Sequence, residues 1–192
     1  ALNPSAVVGL MKNPFLFLVI VLAELWLVFW LSASILNVCV MSATIGFSLY
    51  ATLNGIIFST IFLVYTATSI ASTFLVTAGT FAAISVYGFT TRKDLTSIGS
   101  FCFMALIGLI IASLVNMFLR SPVFDWIISY AGVAIFIGLT AHDTQQLKRI
   151  HEQGFAGGDV LQKMSLMGAL RLYLDFINLF LLLLRIMGRR RD

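Results

Sequence analysis

Apolar residues run along this chain in long unbroken stretches, with neither the alternation of a half-buried strand nor the one-sided spacing of a surface helix. Phe15–Ala23 and Phe176–Leu184 are apolar at nearly every position, and between Leu25 and Thr91 there is no Asp, Glu, Lys, Arg or His. At 1.5 Å per residue that charge-free stretch, extended back to Pro14, amounts to roughly 115 Å of helix, enough for three bilayer crossings with turns. The pattern places them at about Pro14–Ile35, Val40–Phe62 and Ser69–Phe89, with breaks at Ser32–Asn37 and Tyr65–Ser69, where small polar residues cluster.

Charges punctuate the second half more sharply. Arg92, Lys93 and Asp94 form a polar stop, and Ile98–Leu119 makes a fourth span. Arg120-Ser-Pro122 breaks the chain, with Pro122 suited to opening the next helix. The fifth span runs from about Val123 to Gln146 and ends in Lys148-Arg149. A linker with Gly154, Gly157 and Gly158 follows, with Asp159 as a candidate N-cap. The sixth span runs from about Met164 to Met187 and stops at Gly188 and Arg189–Arg191. The expectation is an all-α, polytopic transmembrane helix bundle, six spans in a single domain over residues 1–192. A β-barrel would need strands of about ten residues alternating apolar and polar, which these runs exclude.

Composition supports the bilayer. Apolar residues make up 60% of the 192 and charged residues 10%, against about 25% charged in a soluble domain, and the mean hydropathy is +1.02. The net charge of +4 does not point to nucleic acid, because the basic residues sit between or after hydrophobic runs and form no stripe interleaved with aromatics. Cys39 and Cys102 lie inside apolar runs and read as reduced packing residues. Ala1–Leu10 lacks the basic start and cleavage pattern of a signal peptide. Arg92, Lys93, Lys148, Arg149 and Lys163 fall on one side of the layout, against Lys12 and Arg120 on the other. That bias places the two charged linkers in the cytoplasm. It is lost if the last segment crosses fully and exports Arg189–Arg191, and kept if that segment re-enters.

Ionisable groups within a span cost about 2.5–3.5 kcal/mol each at its centre, so each needs a reason. Five stand out: Glu24, Asp143, Arg171, Asp175 and Arg185. Arg185, near a helix end, reads as snorkelling to the interface. Glu24 lies mid-span, open equally to a structural role and a functional one. Asp143 and Asp175 sit on the last two spans, sequence neighbours that should pack antiparallel. Arg171 precedes Asp175 by four residues, so the two share a helix face and can bond directly; Asn178 continues that polar stripe. The bland reading is that Arg171 and Asp175 neutralise one another and tie the bundle together. Depth argues against a direct meeting of the aspartates. Counted from Lys148, Asp143 lies about 7 Å into the membrane, and counted from Lys163, Asp175 lies about 18 Å in. Contact requires the sixth helix to begin above the membrane, or Asp143 to lie deeper.

Leu172-Tyr-Leu-Asp175-Phe-Ile-Asn178-Leu-Phe180, followed by Leu184-Arg185, resembles the last membrane segment of the Bax inhibitor-1 family. Gly138-Leu-Thr-Ala-His-Asp143-Thr-Gln-Gln-Leu-Lys148 is similar to its penultimate helix. Thr66–Thr73 and Tyr87–Leu95 look like its bacterial branch. The resemblance runs from about residue 1 to residue 188. It implies a fold of seven segments lacking the first here, in a bacterial inner (cytoplasmic) membrane. It also implies a pH-sensitive calcium leak, with Asp143 and Asp175 matching the aspartate pair that senses protons. In one bacterial relative an arginine after the second segment latches that pair; the matching stretch, Ser32–Asn37, has no basic residue. Arg171 is the candidate substitute, with Asn178 and Glu24 as further candidate partners. Two carboxylates sharing a low-dielectric site resist double ionisation, and once ionised they suit a hard dication such as calcium. Calcium at Asp143 and Asp175 is therefore the candidate metal, as permeant ion and not as cofactor; no cofactor is required.

Two other readings compete. One is a non-conducting regulator that binds a membrane-bound protease or other membrane protein, with Ile150–Gln162 as docking segment. The other is an intramembrane aspartyl protease of the presenilin type. That would need Gly-x-Gly-Asp and a downstream Pro-Ala-Leu, whereas Asp175 follows Leu-Tyr-Leu and no proline follows Pro122. No enzyme is expected. Partners are the bilayer, calcium or protons, and no nucleic acid.

Overall fold

The computed structural model describes residues 26, 27, 30, 40–152 and 158–189. The first predicted span, Glu24, Cys39 and the stretch Ser32–Asn37 lie outside them, save for Trp26, Leu27 and Trp30. Trp26 and Trp30, a helical turn apart, stack with ring centroids 6.3 Å apart. The described residues form helices α1 (Val40–Phe58), α2 (Ile61–Val64), α3 (Ala67–Thr90), α4 (Thr96–Leu119), α5 (Pro122–Glu152) and α6 (Gly158–Met187). Five stretches among them are long and apolar enough to cross a membrane, the first being Thr44–Val64 across α1 and α2. That is one fewer than the six predicted, the remaining one being the span that starts at Pro14.

Packing divides the chain into two compact units: Ala1–Thr66 with Phe155–Met167 and Arg190–Asp192, and Ala67–Gly154 with Gly168–Arg189. In the first, small polar side chains on α1 bond back to their own helix, Ser48 to the Thr44 carbonyl and Thr52 to the Ser48 carbonyl, at 2.9 and 2.8 Å. Such bonds let hydroxyls sit in lipid without a partner helix. The helix breaks at Ser59–Thr60, within the span predicted as continuous to Phe62. Ser59 gives both its amide and its hydroxyl to carbonyls of the preceding turn. Tyr65 then runs extended before α3.

The second unit is built around α5. Ile135, Phe136 and Leu139 of α5 join Cys102 of α4 and Leu179 of α6 in one buried cluster. Small residues let these helices approach closely. A Cβ on Gly88 of α3 would collide with the Ala141 carbonyl, one on Gly138 with the Cys102 sulfur, and one on Gly132 with Leu182. Phe74 and Phe81 of α3 meet Phe176 and Phe180 of α6 edge to face, centroids 5.3–6.2 Å apart. By contrast α4 turns Phe101, Ile107, Ile111, Val115 and Phe118 outward, as a helix facing lipid must.

Each end of this unit is tied by polar side chains. At the α3–α4 turn, the Gln145 amide of α5 donates to the Lys93 carbonyl (2.8 Å) and accepts from the Leu95 amide (2.9 Å), with Leu95 buried beside it. Asp94 accepts from the Thr96 hydroxyl and amide at 2.7 and 3.0 Å and from Arg149 at 2.9 Å. Thr96 first, and Arg149 next, hold the exposed Asp94 carboxyl well below the usual carboxylate range. At the opposite end α4 stops on Arg120, in the left-handed conformation (φ 50°), and Pro122 opens α5 as the sequence predicts. Asn116 holds that turn, donating to Asp125 at 2.8 Å and accepting from the Ser121 amide at 3.1 Å.

The last helix crosses. α6 is uninterrupted over 30 residues, starts this unit with Gly168 against Leu147, and ends with the Arg189 amide on the Ser69 hydroxyl at the start of α3. The start of α3 and the α4–α5 turn lie at the end of the unit away from Lys148 and Arg149, so α6 does not re-enter.

Candidate functional site

α5 and α6 run antiparallel, and their register decides where the in-span charges fall. Gly168 sits against Leu147, Arg171 reaches Gln146, and Leu182 lies against Gly132. Asp143 is therefore level with about Arg171–Leu174, up to a helical turn from Asp175. The depth conflict in the sequence came from taking Lys163 as the membrane boundary. α6 begins at Gly158, ten residues before it reaches the level of Leu147, so a count from Lys163 overstates how much deeper Asp175 lies than Asp143.

The aspartates line one groove of about 1140 Å³ between α4, α5 and α6. Gly99, Phe103 and Leu109 contribute from α4, Leu139, His142 and Asp143 from α5, and Arg171, Asp175, Asn178 and Leu182 from α6. Asp143 is half-buried and bonds its neighbour, His142 Nδ1, at 2.8 Å. The ring of His142 in turn fills the space that a side chain at Gly99 would need. Asp175 is 5% exposed, and its Oδ2 is buried without a hydrogen-bond partner. Asp143 and Arg171 are the charged groups whose fields act on it. Thr144, one position beyond Asp143, also buries an unpartnered hydroxyl.

The predicted direct bond between Arg171 and Asp175 does not form. Arg171 lies on the exposed side of α6 and donates to the Gln146 side chain at 2.9 Å, and the ion pairs among the described residues do not include it. Four residues on a helix bring two side chains to one face, but a guanidinium on a long stem follows the better-hydrated end of the groove. The reading in which Arg171 and Asp175 neutralise one another in a bond is thereby corrected; Arg171 acts on Asp175 through space. Asn178 donates to its own helix at the Leu174 carbonyl, 2.8 Å away, so it lines the groove without tying α6 to a neighbour. Sequence reasoning missed Gln146 and Gln145 as partners: Gln146 meets Arg171 through the register of two neighbouring helices, and Gln145 reaches a turn some 50 residues away, neither of which the residue pattern marks.

Among the described residues no group of three His, Cys, Asp or Glu gathers to hold a metal ion. A calcium ion passing Asp143 and Asp175 would meet two carboxylates, short of the six to eight oxygens it takes, and would keep water for the rest.

Comparison with known proteins gives a consistent set. The family described as "Inhibitor of apoptosis-promoting Bax1" matches residues 2–192. Over 193 aligned residues the chain is 52% identical to inner membrane protein YbhL of Escherichia coli (strain K12), covering all of this chain and 82% of that protein. It is 45% identical over 181 residues to an uncharacterized protein of Borreliella burgdorferi, covering 94% of this chain and 78% of the relative. Against one from Rickettsia prowazekii the figure is 53% over 152 residues, 79% of this chain and 64% of the relative.

Proposed function

This chain belongs to the Bax inhibitor-1 family and is a multi-pass inner membrane protein, and from that premise we propose that it is a pH-sensitive cation leak channel, gated by protonation of Asp143 and Asp175, with calcium as its cargo. The observation that carries the reading is the shared groove: two carboxylates from antiparallel helices line one cavity at membrane depth, and one carboxylate oxygen is buried without a partner.

The mechanism follows from charge. A carboxylate pair in a low-dielectric groove opposes its own double ionisation, and the pair titrates as a unit. Each pKa unit of coupling is worth about 1.4 kcal/mol, enough to bias the packing of α5 against α6 between two arrangements. Ionisation also supplies the hard oxygen ligands that attract a dication. Proton occupancy therefore changes both the helix packing and the affinity of the groove for its cargo.

The test is calcium flux into liposomes carrying the full-length protein, followed against pH. Asp143→Asn and Asp175→Asn, close in shape and unable to ionise, should each flatten the pH dependence. If both variants keep the wild-type profile the sensor is elsewhere. If the wild type passes no cation at any pH, a non-conducting regulator is the better reading.

A further inference from the structure

The groove does not end at the aspartates. Its lining continues along α4 and α6 to Met117 and Arg185, beside a second, polar pocket of about 380 Å³. Ser113, Met117, Ile128 and Arg185 line both, so the two cavities adjoin. Arg120, Asn116 and Asp125 complete the polar pocket. Neither the Arg120 nor the Arg185 guanidinium has a hydrogen-bond or ion-pair partner among the described residues. The one anion there, Asp125, is engaged by the Asn116 amide at 2.8 Å. Two unpaired guanidinium groups therefore face one hydrogen-bonded carboxylate, and the pocket keeps an excess of positive charge.

We propose that this composite cavity binds an anionic phospholipid, its phosphate held by Arg120 and Arg185 and one acyl chain laid along the groove between α4 and α6. Guanidinium forks match phosphate oxygens in geometry as well as charge. The pocket sits at the α4–α5 turn, where a span ends and a headgroup belongs. Below it the wall is Leu114, Ile110, Leu181 and Leu182, which suits an alkyl chain and no water-soluble anion. From Arg185 to Asp175 is ten residues of helix, about 15 Å, or half of a hydrocarbon core about 30 Å thick. One leaflet's acyl chain, anchored at the arginines, reaches the level of the aspartates. A free phosphate would use the polar pocket alone; the apolar groove adjoining that pocket is what selects a lipid.

The experiment is native mass spectrometry of the full-length protein released from detergent, titrated with phosphatidylglycerol, phosphatidylethanolamine or inorganic phosphate. The wild type should hold phosphatidylglycerol at least about tenfold more tightly than phosphatidylethanolamine, because both offer the phosphate but the ethanolamine ammonium meets the pocket's excess of positive charge, and like charges brought together are costly. Arg120→Gln with Arg185→Gln should remove that preference. Leu114→Trp, at a lipid-exposed position, should fill the groove and weaken both lipids while leaving the headgroup pocket intact. Equal binding of the two lipids by the wild type, a measurement that needs no variant, would overturn the proposal. So would an unchanged preference in the arginine double variant. If inorganic phosphate binds as tightly as the lipid and Leu114→Trp changes nothing, the pocket takes a free anion and the lipid assignment is wrong.

Discussion

Gly168 of α6 packs directly on Leu147 of α5, and this contact sets the depth at which Asp175 enters the groove that Asp143 lines. A Cβ at position 168 would stand 2.5 Å from the Leu147 Cδ1, so alanine needs only the Leu147 side chain to move, whereas a residue as large as leucine must push the helices apart or shift their register. Overpacking a close contact costs about 1–3 kcal/mol. Gly168→Leu should accordingly lower the thermal midpoint in detergent by several degrees, and on the channel proposal should change the pH profile of calcium flux along with it. Gly55→Ala is the control, since a Cβ there meets nothing within 4 Å. It should be neutral or slightly stabilising, because alanine is the better helix former.

Gln145 makes the α3–α4 turn part of α5's structure. Its amide closes a two-bond clasp on the Lys93 carbonyl and the Leu95 amide. Gln145→Leu keeps the size and removes both bonds, leaving the buried Leu95 N–H without an acceptor. The expected loss is about 1–3 kcal/mol. Hydrogen exchange at the Leu95 amide should accelerate well beyond that of amides in the centre of α4; unchanged exchange there would show that the clasp is dispensable.

Much of this architecture was open to reading from the chain, and the exceptions have physical causes. The ends at Leu119, Pro122 and Met187 were legible because a charge, a proline or a glycine marks each of them. The break at Ser59–Thr60 was not, because two hydroxyl residues inside an apolar run carry no charge and no obligate turn chemistry. The candidate N-cap Asp159 fell within one residue of the start of α6 at Gly158, whereas the span was placed from about Met164 because Gln162 and Lys163 are polar. Asp143 and Asp175 announced themselves by the cost of a charge within a span. Their register, and the choice of Gln146 over Asp175 by Arg171, come from helix-to-helix packing that leaves no periodic trace.

Asp94 supplies a pH dependence that can be separated from the groove. Its carboxyl is held well below the usual range by Thr96 and Arg149, so the folded state favours its ionised form. The sign follows: the contribution is fully present above the unfolded-state pKa of about 3.9 and is lost as pH falls through the lower folded value. Wild-type stability should decline below about pH 4 more steeply than that of Asp94→Asn, as read from the thermal midpoint against pH. Because Asp94 stays ionised from pH 5 upward, a change in calcium flux between pH 6 and 8 cannot come from it. If Asp94→Asn alters flux in that range, the turn takes part in gating.

Arg171 separates a bond from a field. It donates to Gln146 at 2.9 Å while acting on Asp175 only through space, and a double-mutant cycle reads the two apart. The Arg171–Gln146 bond is exposed, so its coupling in thermal stability should be small, within about 1 kcal/mol. The coupling of Arg171→Gln with Asp175→Asn should instead appear in the pH profile of flux: removing the cation shifts the profile when Asp175 can ionise and does nothing once it cannot. A shift of equal size in the Asp175→Asn background would mean that Arg171 acts on some other group, and His142 and Asp143 also line the groove. Gln146→Leu gives the complementary control. It frees the guanidinium from its present partner without touching its charge, so it should leave the flux profile in place unless the arginine then swings onto Asp175.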